Sequence, residues 1–281
     1  MGYRMTLMST APKQVFGYEV VSVVQDGPKG RLLAVCEPNS AQLRLLKYVV
    51  RKTDADLASI DRLKAEFELN KFFRSPVLRR SLDLKLNKKL IGGVSEAGLL
   101  MELVDGEALD SIPMMEPAKV MDVFMQLAKG IASLHQTRLI HCDINPHHIM
   151  VCSDGQVRLI DFSTTVKQGT LLPIPKPLHD FYGPELASNK PIVPQTDIYS
   201  FGASMYWALT GKRIPNLMDL HQGDWDRIQD DREFPMPHDL NPAVPEPLSM
   251  LTIWCCRLAL GSRPANMPTV LQRFEQIRQK I

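Results

Sequence analysis

Residues that can bind metal ions are concentrated in two neighbouring segments of the sequence. HCDINPHHIMV, at residues 141–151, contains Asp143 and His148, and VRLIDFS, at residues 157–163, places Asp161 directly after an apolar run. An aspartate at the end of a buried strand supplies the hard oxygen ligands that magnesium prefers, whereas imidazole suits zinc and other transition metals better. Asp161 is therefore a candidate magnesium ligand, with an ordinary turn residue as the alternative.

The elements that would position these residues begin with a strand-rich region. YEVVSVV and RLLAVCE bracket the turn QDGPKG as two strands of a hairpin, and LRLLKYVV predicts a third strand. From Thr53 the apolar residues recur at helical spacing, which predicts one amphipathic helix. GGVSEAGLLMELVDG predicts a further hairpin that runs into a hinge at Asp105 and Gly106. Residues 1 to about 16 show no period and are interpreted as a tail.

Beyond the hinge, the sequence is mostly helical. Pro117 suits the first position of a helix. The apolar stripe that follows consists of Val120, Phe124, Leu127, Ile131 and Leu134. IMVC and VRLI flank SDGQ and predict another hairpin. A second helical stripe, from Ile198 to Leu209, ends at Gly211, which suits a C-terminal cap.

The balance of charge and the cysteine pattern exclude several classes of protein. The 33 basic and 31 acidic residues give a net charge of +2, and the clearest basic cluster, Arg74, Arg79 and Arg80, is interpreted as solvated surface. No nucleic-acid partner is therefore expected. The five cysteines show no metal-ligand spacing, which favours reduced thiols in the cytoplasm, with Cys255 and Cys256 buried. No apolar stretch approaches the roughly 20 residues that a membrane span needs.

The order and spacing of five motifs resemble the eukaryotic-like protein kinase family. The motifs are HCDINPHHIMV, VRLIDFS, GPE, DIYSFG and SRP, and the family has H-R-D-x-x-x-x-N and D-F-G at the first two. The resemblance covers roughly residues 17 to 280 and implies an α+β, bilobal fold. It assigns residues 1–16 to a tail, 17–104 to a β-rich N-lobe with one helix and 105–281 to a helical C-lobe. One domain of a larger polypeptide is a credible origin for the chain.

The resemblance implies that ATP binds in a cleft between the lobes. Lys47 takes the place of the family's lysine that pairs with the phosphates. Glu66, in preference to Glu68, takes the place of the glutamate that holds this lysine. Gly27 and Gly30 match two glycines of the loop that covers the phosphates, and two glycines would also suit any hairpin turn.

Other positions of the family pattern fall on the hinge and on the catalytic loop. The gatekeeper and the hinge, whose backbone receives the adenine, correspond to Met101, Glu102 and Val104. Asp143 matches the aspartate that orients the substrate hydroxyl and accepts its proton. Asp161 matches the aspartate that holds Mg²⁺, with Mn²⁺ as an alternative cation.

Three further residues are expected to hold the scaffold. Asp197 of DIYSFG resembles the family's buried aspartate, which begins a helix and accepts backbone hydrogen bonds from the catalytic loop. Glu185 of GPE and Arg263 of SRP resemble the ion pair that locks the C-lobe. His141 is expected to be a packed residue.

Several positions depart from the family pattern. His148 replaces the asparagine that binds the second magnesium, so it is a doubtful metal ligand, and Asn145 replaces the lysine beside the transferred phosphoryl group. Cys142 replaces the arginine that reads a phosphorylated activation loop, and Ser163 replaces the glycine of D-F-G. The following segment lacks the family's threonine, since Leu178 falls at about that place. Gln25 replaces the first glycine of the phosphate loop.

These departures favour an ATP-binding pseudokinase or weakly active signalling module. The alternative is an active, atypical serine/threonine kinase that transfers the γ-phosphoryl group of ATP to a protein hydroxyl, because the charged residues of the core constellation are present. A small-molecule phosphotransferase is less favoured, since GPE and DIYSFG resemble the protein kinase C-lobe. A protein substrate or interaction partner is expected in the first two cases.

Overall fold

The computed structural model describes residues 12–38, 40, 42–89, 93–172, 180–187, 190–214 and 235–280. The chain divides into two compact units, the first built from residues up to 73 and from 79–106, the second from 74–78 and from 107 onward. The first unit is dominated by β-strands and the second by helices, so the α+β fold class is confirmed. The change from the first unit to the second falls after residue 106, and the lobe bounds predicted from the sequence stay a prediction.

The first unit consists of an antiparallel sheet of six strands and one helix. The strands are β1 (Gln14–Val15), β2 (Tyr18–Gly27), β3 (Gly30–Cys36), β4 (Leu43–Val50), β5 (Ser81–Lys89) and β6 (Gly93–Glu102), and the helix is α1 (Asp56–Asn70). Their order in the sheet is β1-β2-β3-β4-β6-β5. Helix α1 packs against β4, β5 and β6, and its buried Ile60 and Leu63 join Leu45, Leu99 and Met101 in one apolar cluster.

Three details of the first unit differ from the sequence-based expectations. GGVSEAGLLMELVDG does not form a hairpin by itself, because its residues 93–102 form the single strand β6. The partner of β6 is β5, which the sequence did not reveal because its charged side chains lie on an exposed edge of the sheet, where lysine discourages further pairing. The predicted tail, residues 1–16, contains β1, which is too short to show a period.

The second unit contains five helices and short strands among its described residues. The helices are α2 (Pro117–Gln136), α3 (Pro194–Thr210), α4 (Pro237–Leu240), α5 (Glu246–Cys255) and α6 (Met267–Arg278). The strands are β7 (Gly106–Ala108), β8 (Leu139–Ile140), β9 (Ile149–Cys152), β10 (Val157–Leu159) and β11 (Val166–Lys167). The order β10-β9-β7 forms one small sheet, and β11 pairs with β8. The predicted hairpin of IMVC and VRLI is confirmed as β9 and β10.

Aromatic contacts join the principal helices of the second unit. Phe124 of α2 meets Phe201 of α3 edge to face at 5.2 Å between ring centroids, and Phe201 meets Phe274 of α6 at 6.3 Å. Helix α3 ends at Gly211, whose φ of 68° is the left-handed conformation that favours glycine. The two apolar stripes in the sequence thus identify α2 and α3 correctly.

The structure also tests the expectations for the basic cluster, the cysteines and membrane spans. Arg79 is buried with 3% exposure, so the interpretation of the whole basic cluster as solvated surface was wrong for this residue. Cys255 and Cys256 are buried as expected, and burial raises the pKa of the Cys255 thiol to about 12. None of the helices within the described ranges combines the length and apolar character that crossing a membrane requires.

Candidate functional site

The first unit places a lysine and a glutamate in direct contact. Lys47 lies in the middle of β4, opposite Leu99 of β6, and its Nζ lies 2.9 Å from Oε2 and 3.2 Å from Oε1 of Glu66. The Glu66 side chain is 1% exposed on the inner face of α1, whereas Glu68 pairs with Lys71 on the surface. The ammonium of Lys47, with its side chain 19% exposed, is therefore fixed in place by a buried carboxylate.

Gly27 and Gly30 flank a hairpin turn of two residues. The strands β2 and β3 continue up to the Gly27–Gly30 pair, and Arg31 Nε donates to Asp26 Oδ2 at 3.1 Å beside it. Gly30 has a φ of 127°, and a Cβ there would lie 2.7 Å from the Tyr48 carbonyl oxygen. A Cβ at Gly27 would meet nothing closer than 3.8 Å. The backbone conformation at the turn and the contact with Tyr48 therefore require glycine at position 30, whereas position 27 has room for a side chain.

The predicted gatekeeper and hinge lie at the end of β6. Met101 is fully buried in the cluster under α1, and Val104 is buried just beyond the strand. The Glu102 amide donates to the Arg80 carbonyl at 3.1 Å, and Glu102 Oε2 accepts from the Arg80 amide at 3.2 Å. The Glu102 amide is therefore engaged within this unit, and adenine recognition by this segment stays a prediction.

In the second unit, Asp197 anchors the loop that carries Asp143. Its fully buried carboxylate accepts hydrogen bonds from the backbone amides of His141 at 2.8 Å and Cys142 at 2.9 Å, so the role predicted for Asp197 is confirmed. His135 Nε2 donates to the same carboxylate at 2.8 Å. Burial alone would raise the pKa of Asp197, but the hydrogen bond and charge of His135 and the contacts with His141 bring it below its usual value.

The anchored loop holds Cys142 in an unusual backbone conformation. Cys142 has a φ of 64°, and its fully buried side chain packs with Ile140, Leu186 and Ile192. Asp161, in the neighbouring segment, has a φ of 63°. Non-glycine residues with positive φ are uncommon and concentrate at functional sites, where the surrounding structure holds them.

Asp143 is surrounded by neutral hydrogen-bonding groups. Asn145 Nδ2 donates to Asp143 Oδ1 at 2.9 Å. Burial, the charge of Asp143 and a hydrogen bond to it raise the pKa of the nearby Tyr182 hydroxyl. Asn145, which stands in place of the family's lysine, also caps the following 3-10 helix by accepting from the His147 amide at 3.0 Å. The position beside Asp143 therefore orders the loop but supplies no positive charge.

His148 lies between the two aspartates. Its Nδ1 lies 2.9 Å from the Asp143 carbonyl oxygen, and since a carbonyl only accepts, Nδ1 donates in this contact. Asn145 Nδ2, 3.0 Å from the same Nδ1, donates instead to Asp143 Oδ1 at 2.9 Å and to the Asp143 carbonyl oxygen at 3.2 Å. Nε2 lies 4.0 Å from Asp161 Oδ2. The second unit thus brings Asp143, His148 and Asp161 together.

The donor set at Asp161 fits a divalent cation only with help from a ligand. Asp161 Oδ1 accepts from the Ser163 amide at 3.1 Å, and its side chain is 32% exposed. Within the described ranges, no three His, Cys, Asp or Glu side chains are grouped so that they could hold a metal ion. Mg²⁺ is commonly bound by one or two carboxylates together with phosphate oxygens and water, and Asp161 suits that role. His148 adds a nitrogen donor, which Mn²⁺ accepts more readily than Mg²⁺ does.

His141 is a core residue, as expected. Its side chain is fully buried, its ring meets Phe162 edge to face at 5.0 Å, and its Nδ1 accepts from the Asp143 amide at 3.2 Å. Burial lowers the pKa of His141 to about 4, against the opposing effect of nearby carboxylates. The imidazole is therefore neutral at pH 7.

The predicted ion pair of the second unit is confirmed. Arg263 Nη1 and Nη2 donate to Oε1 and Oε2 of Glu185 at 2.8 and 3.0 Å, and both side chains are buried. The remaining guanidinium hydrogens reach the carbonyl oxygens of Arg257, Leu258 and Gln195. Bidentate geometry with these further hydrogen bonds is what a buried ion pair needs to offset its desolvation.

The sequence did not point to two residues near the site, His135 and Tyr182, and the expectation for Leu178 falls outside the described residues. His135 and Tyr182 contact Asp197 and Asp143, and neither lies in a motif position that suggests such a role. The only signal for Tyr182 is its place directly before GPE. Leu178, where the family has its threonine, lies outside the described residues.

The chain belongs to the protein kinase family, because the family model for the protein kinase domain matches residues 18–274. Curated relatives carry matching names. A probable serine/threonine-protein kinase of Clostridium acetobutylicum is 28% identical over 64% of this chain and 28% of its own length. Serine/threonine-protein kinase pkn2 of Myxococcus xanthus is 28% identical over 60% of this chain and 21% of its own length. Serine/threonine-protein kinase PknA of Mycobacterium tuberculosis is 24% identical over 70% of this chain and 47% of its own length. The chain thus spans less than half of these relatives.

Proposed function

We propose that this kinase domain binds ATP with a divalent cation and transfers its phosphoryl group weakly or not at all. The observation that carries the nucleotide part is the ion pair between Lys47 and the buried Glu66. An ammonium that a carboxylate holds on a rigid strand is what the family uses against phosphate oxygens. Burying a carboxylate there has a cost, so its presence supports retention of the phosphate-binding arrangement.

Two aspartates of the second unit would have separate roles. Asp161 would hold the cation, which neutralises charge on the phosphates when it is bound. Asp143 would orient an acceptor hydroxyl and take its proton, with Asn145 fixing the orientation of its carboxylate. Asp197 supports this role by holding the backbone of the loop through two amide hydrogen bonds.

Weak transfer is inferred from the groups that stand around Asp143. Asn145 brings a neutral amide where the family has a cation, so one electrostatic partner of the transferred phosphoryl group is lost. His148 places an imidazole nitrogen 4.0 Å from Asp161 Oδ2 where the family has an amide oxygen. Both changes act on charge stabilisation, which is the largest part of catalysis in phosphoryl transfer.

The alternative is an active serine/threonine kinase of atypical sequence. It is supported by Asp143 on the anchored loop and Asp161 in the neighbouring segment, which both lie beside His148, and by the names of the relatives. A small-molecule phosphotransferase has less support, because the Glu185–Arg263 pair matches the protein kinase pattern. We infer a protein as substrate or interaction partner, and a cytoplasmic location from the reduced cysteines.

Transfer of labelled phosphate distinguishes the two possibilities. The purified chain is incubated with labelled ATP and either Mg²⁺ or Mn²⁺, beside an Asp143→Asn variant, and label is measured in the chain itself and in a generic basic protein. We expect little or no transfer by the wild type. Robust transfer that vanishes in the variant would overturn the weak-transfer proposal in favour of an active kinase.

A His148→Asn variant tests which substitution limits the reaction. The amide supplies the oxygen ligand that Mg²⁺ prefers, so we expect it to raise any weak transfer and to shift the cation preference from Mn²⁺ towards Mg²⁺. The same assay measures both. Unchanged transfer would show that His148 is not the main defect.

A further inference from the structure

A groove lies between the last two helices of the second unit, α5 and α6. It has a volume of about 600 Å³, and its lining runs from Met250 to Arg257 on the α5 side and over residues 269–276 on the α6 side. The stretch of α6 that lines it spans about 10 Å, or about two helical turns. The groove is therefore long enough to hold two turns of a partner helix.

The wall of the groove that α5 forms is apolar. Met250 and Trp254 are four residues apart and so share one face of the helix. Met250 is 51% exposed and Trp254 is only partly buried, while Leu251 continues the apolar surface inwards. Methionine and tryptophan are enriched in protein interfaces, and an exposed pair of them in a concave site indicates an interaction surface.

The wall that α6 forms is polar and positively charged. The exposed residues Arg273 and Gln276 lie on it, whereas Phe274 on the opposite face of α6 is fully buried. Arg273 Nη1 donates to Gln276 Oε1 at 3.0 Å, which holds the guanidinium along this wall. Arg257 adds a second guanidinium to the lining. Among the described residues that line the groove, none is acidic.

The chemistry of the two walls indicates what the groove can bind. A segment with apolar side chains on one face can pack on Met250 and Trp254, and carboxylates on its other face can pair with Arg257 and Arg273. Amphipathic helices bind in grooves in this way, through apolar anchors that lie three or four residues apart. Two guanidiniums in a lining without carboxylates disfavour a basic segment, because like charges brought together in an interface repel.

We propose that the groove between α5 and α6 binds an acidic, amphipathic segment of a partner protein. The proposal goes beyond the nucleotide site and does not depend on it, since neither Asp143 nor Asp161 lines the groove. The two guanidiniums determine the sign of the charge that is accepted, and Trp254 supplies the main apolar contact.

The affinities of two labelled peptides test the sign of the charge. One peptide consists of leucine and glutamate, the other has lysine in place of every glutamate, and fluorescence anisotropy measures the Kd of each for the full chain. We expect the glutamate peptide to bind about tenfold more tightly, and less tightly as the salt concentration rises. Equal affinities for the two peptides, or no binding of either, would overturn the proposal.

An Arg273→Glu variant tests whether the charge of the groove is responsible. The glutamate peptide should bind this variant about tenfold more weakly than the wild type. Lys280→Glu is the matched control, because it makes the same change of charge at an exposed residue just beyond α6 and outside the groove. An equal loss of affinity in the two variants would contradict binding in the groove.

Tryptophan fluorescence with the unlabelled glutamate peptide tests the contact with α5. Burial of Trp254 should shift the emission to shorter wavelength, and this shift should be absent in Trp254→Phe. A shift that persists in Trp254→Phe places the peptide elsewhere and overturns the proposal. Sedimentation tests a second copy of the chain as the occupant, since a wild-type dimer that Arg273→Glu dissociates would assign the groove to self-association instead. The rise in melting temperature with MgATP, which should be equal in Arg273→Glu and the wild type, reports separately on the proposed function.

Discussion

At the scale of single residues, the ion pair of Lys47 joins a partly exposed ammonium to a carboxylate that is almost fully buried. A second pair of the same charges lies at the end of helix α1, where Glu68 pairs with Lys71 just beyond the helix, and both of its side chains are exposed. The buried carboxylate depends on its neighbours for stabilisation, whereas the exposed one is solvated by water. Removing the lysine from each pair therefore compares the effect of a buried ion pair on stability with that of an exposed one.

We expect Lys47→Ala to lower the free energy of unfolding by roughly 1–3 kcal/mol even without nucleotide, because it withdraws a cation from a buried carboxylate. Lys71→Ala is the control and should change stability little. Urea denaturation of both variants measures the effect. Equal losses in the two would contradict a structural difference between the pairs.

Titration of His141 should make the second unit sensitive to mild acid. The pKa of His141 is about 4 in the folded protein and about 6.5 in an unfolded chain, so between these values the unfolded state binds more protons and stability falls as the pH falls. At pH 5 this effect alone should cost about 2 kcal/mol relative to pH 7.

His141→Phe removes the titrating group and keeps an aromatic ring against Phe162. The difference in unfolding free energy between pH 7 and pH 5 should therefore be smaller in this variant than in the wild type, as measured by denaturant titration at each pH. If both proteins lose the same stability on acidification, the burial of a neutral imidazole is not the cause.

Residue order in the sequence predicts contacts only where a family pattern exists. Asp197 and the Glu185–Arg263 pair could be predicted because their motifs recur in a fixed order. The proximity of Tyr182 to Asp143 could not be predicted, because it depends on how the segment before GPE folds against the loop that carries Asp143. The local pattern of residues does not predict a contact between these two segments.

At the scale of elements, the hairpin of β2 and β3 separates two roles that glycine can have. Gly30 has positive φ and a backbone oxygen in the way of any Cβ, whereas Gly27 has space around it. We expect Gly30→Ala to destabilise the protein by about 1–3 kcal/mol and Gly27→Ala to leave its melting temperature nearly unchanged. Thermal unfolding of the two variants is the measurement, and a larger loss for Gly27→Ala would refute the assignment.

The elements that the sequence predicts best are those with a buried face. The stripe of α2 and the apolar runs of β4, β9 and β10 are visible because burial imposes a period on their residues. Strand β5 lies at the edge of its sheet with half-exposed and exposed side chains, and its charged residues, among them Lys85, Lys88 and Lys89, resemble those of a loop. Strand β1 consists of only two residues, and its pairing with β2 gives no pattern to detect.

At the scale of the whole molecule, the sequence predicts the architecture through the change from alternating to helical periodicity near residue 105. The structure places the change of unit after residue 106 and adds residues 74–78 to the helical unit. Residues 74–78 belong to the helical unit because of their tertiary contacts. Val77 packs so closely on Gly130 of α2 that a Cβ at Gly130 would lie 2.5 Å from Val77 Cγ1. The Val77 carbonyl also accepts a hydrogen bond from the Leu159 amide. Local patterns do not report contacts between segments so far apart.

The most direct test of the central claim is binding of MgATP to the unmodified chain. A ligand that binds only the folded state at 100 times its Kd stabilises it by about 2.7 kcal/mol, so we expect a clear rise in melting temperature with MgATP. Lys47→Ala should abolish most of this rise, while Lys71→Ala should keep it. No rise in the wild type, or an equal rise in Lys47→Ala, would contradict nucleotide binding through the Lys47–Glu66 pair.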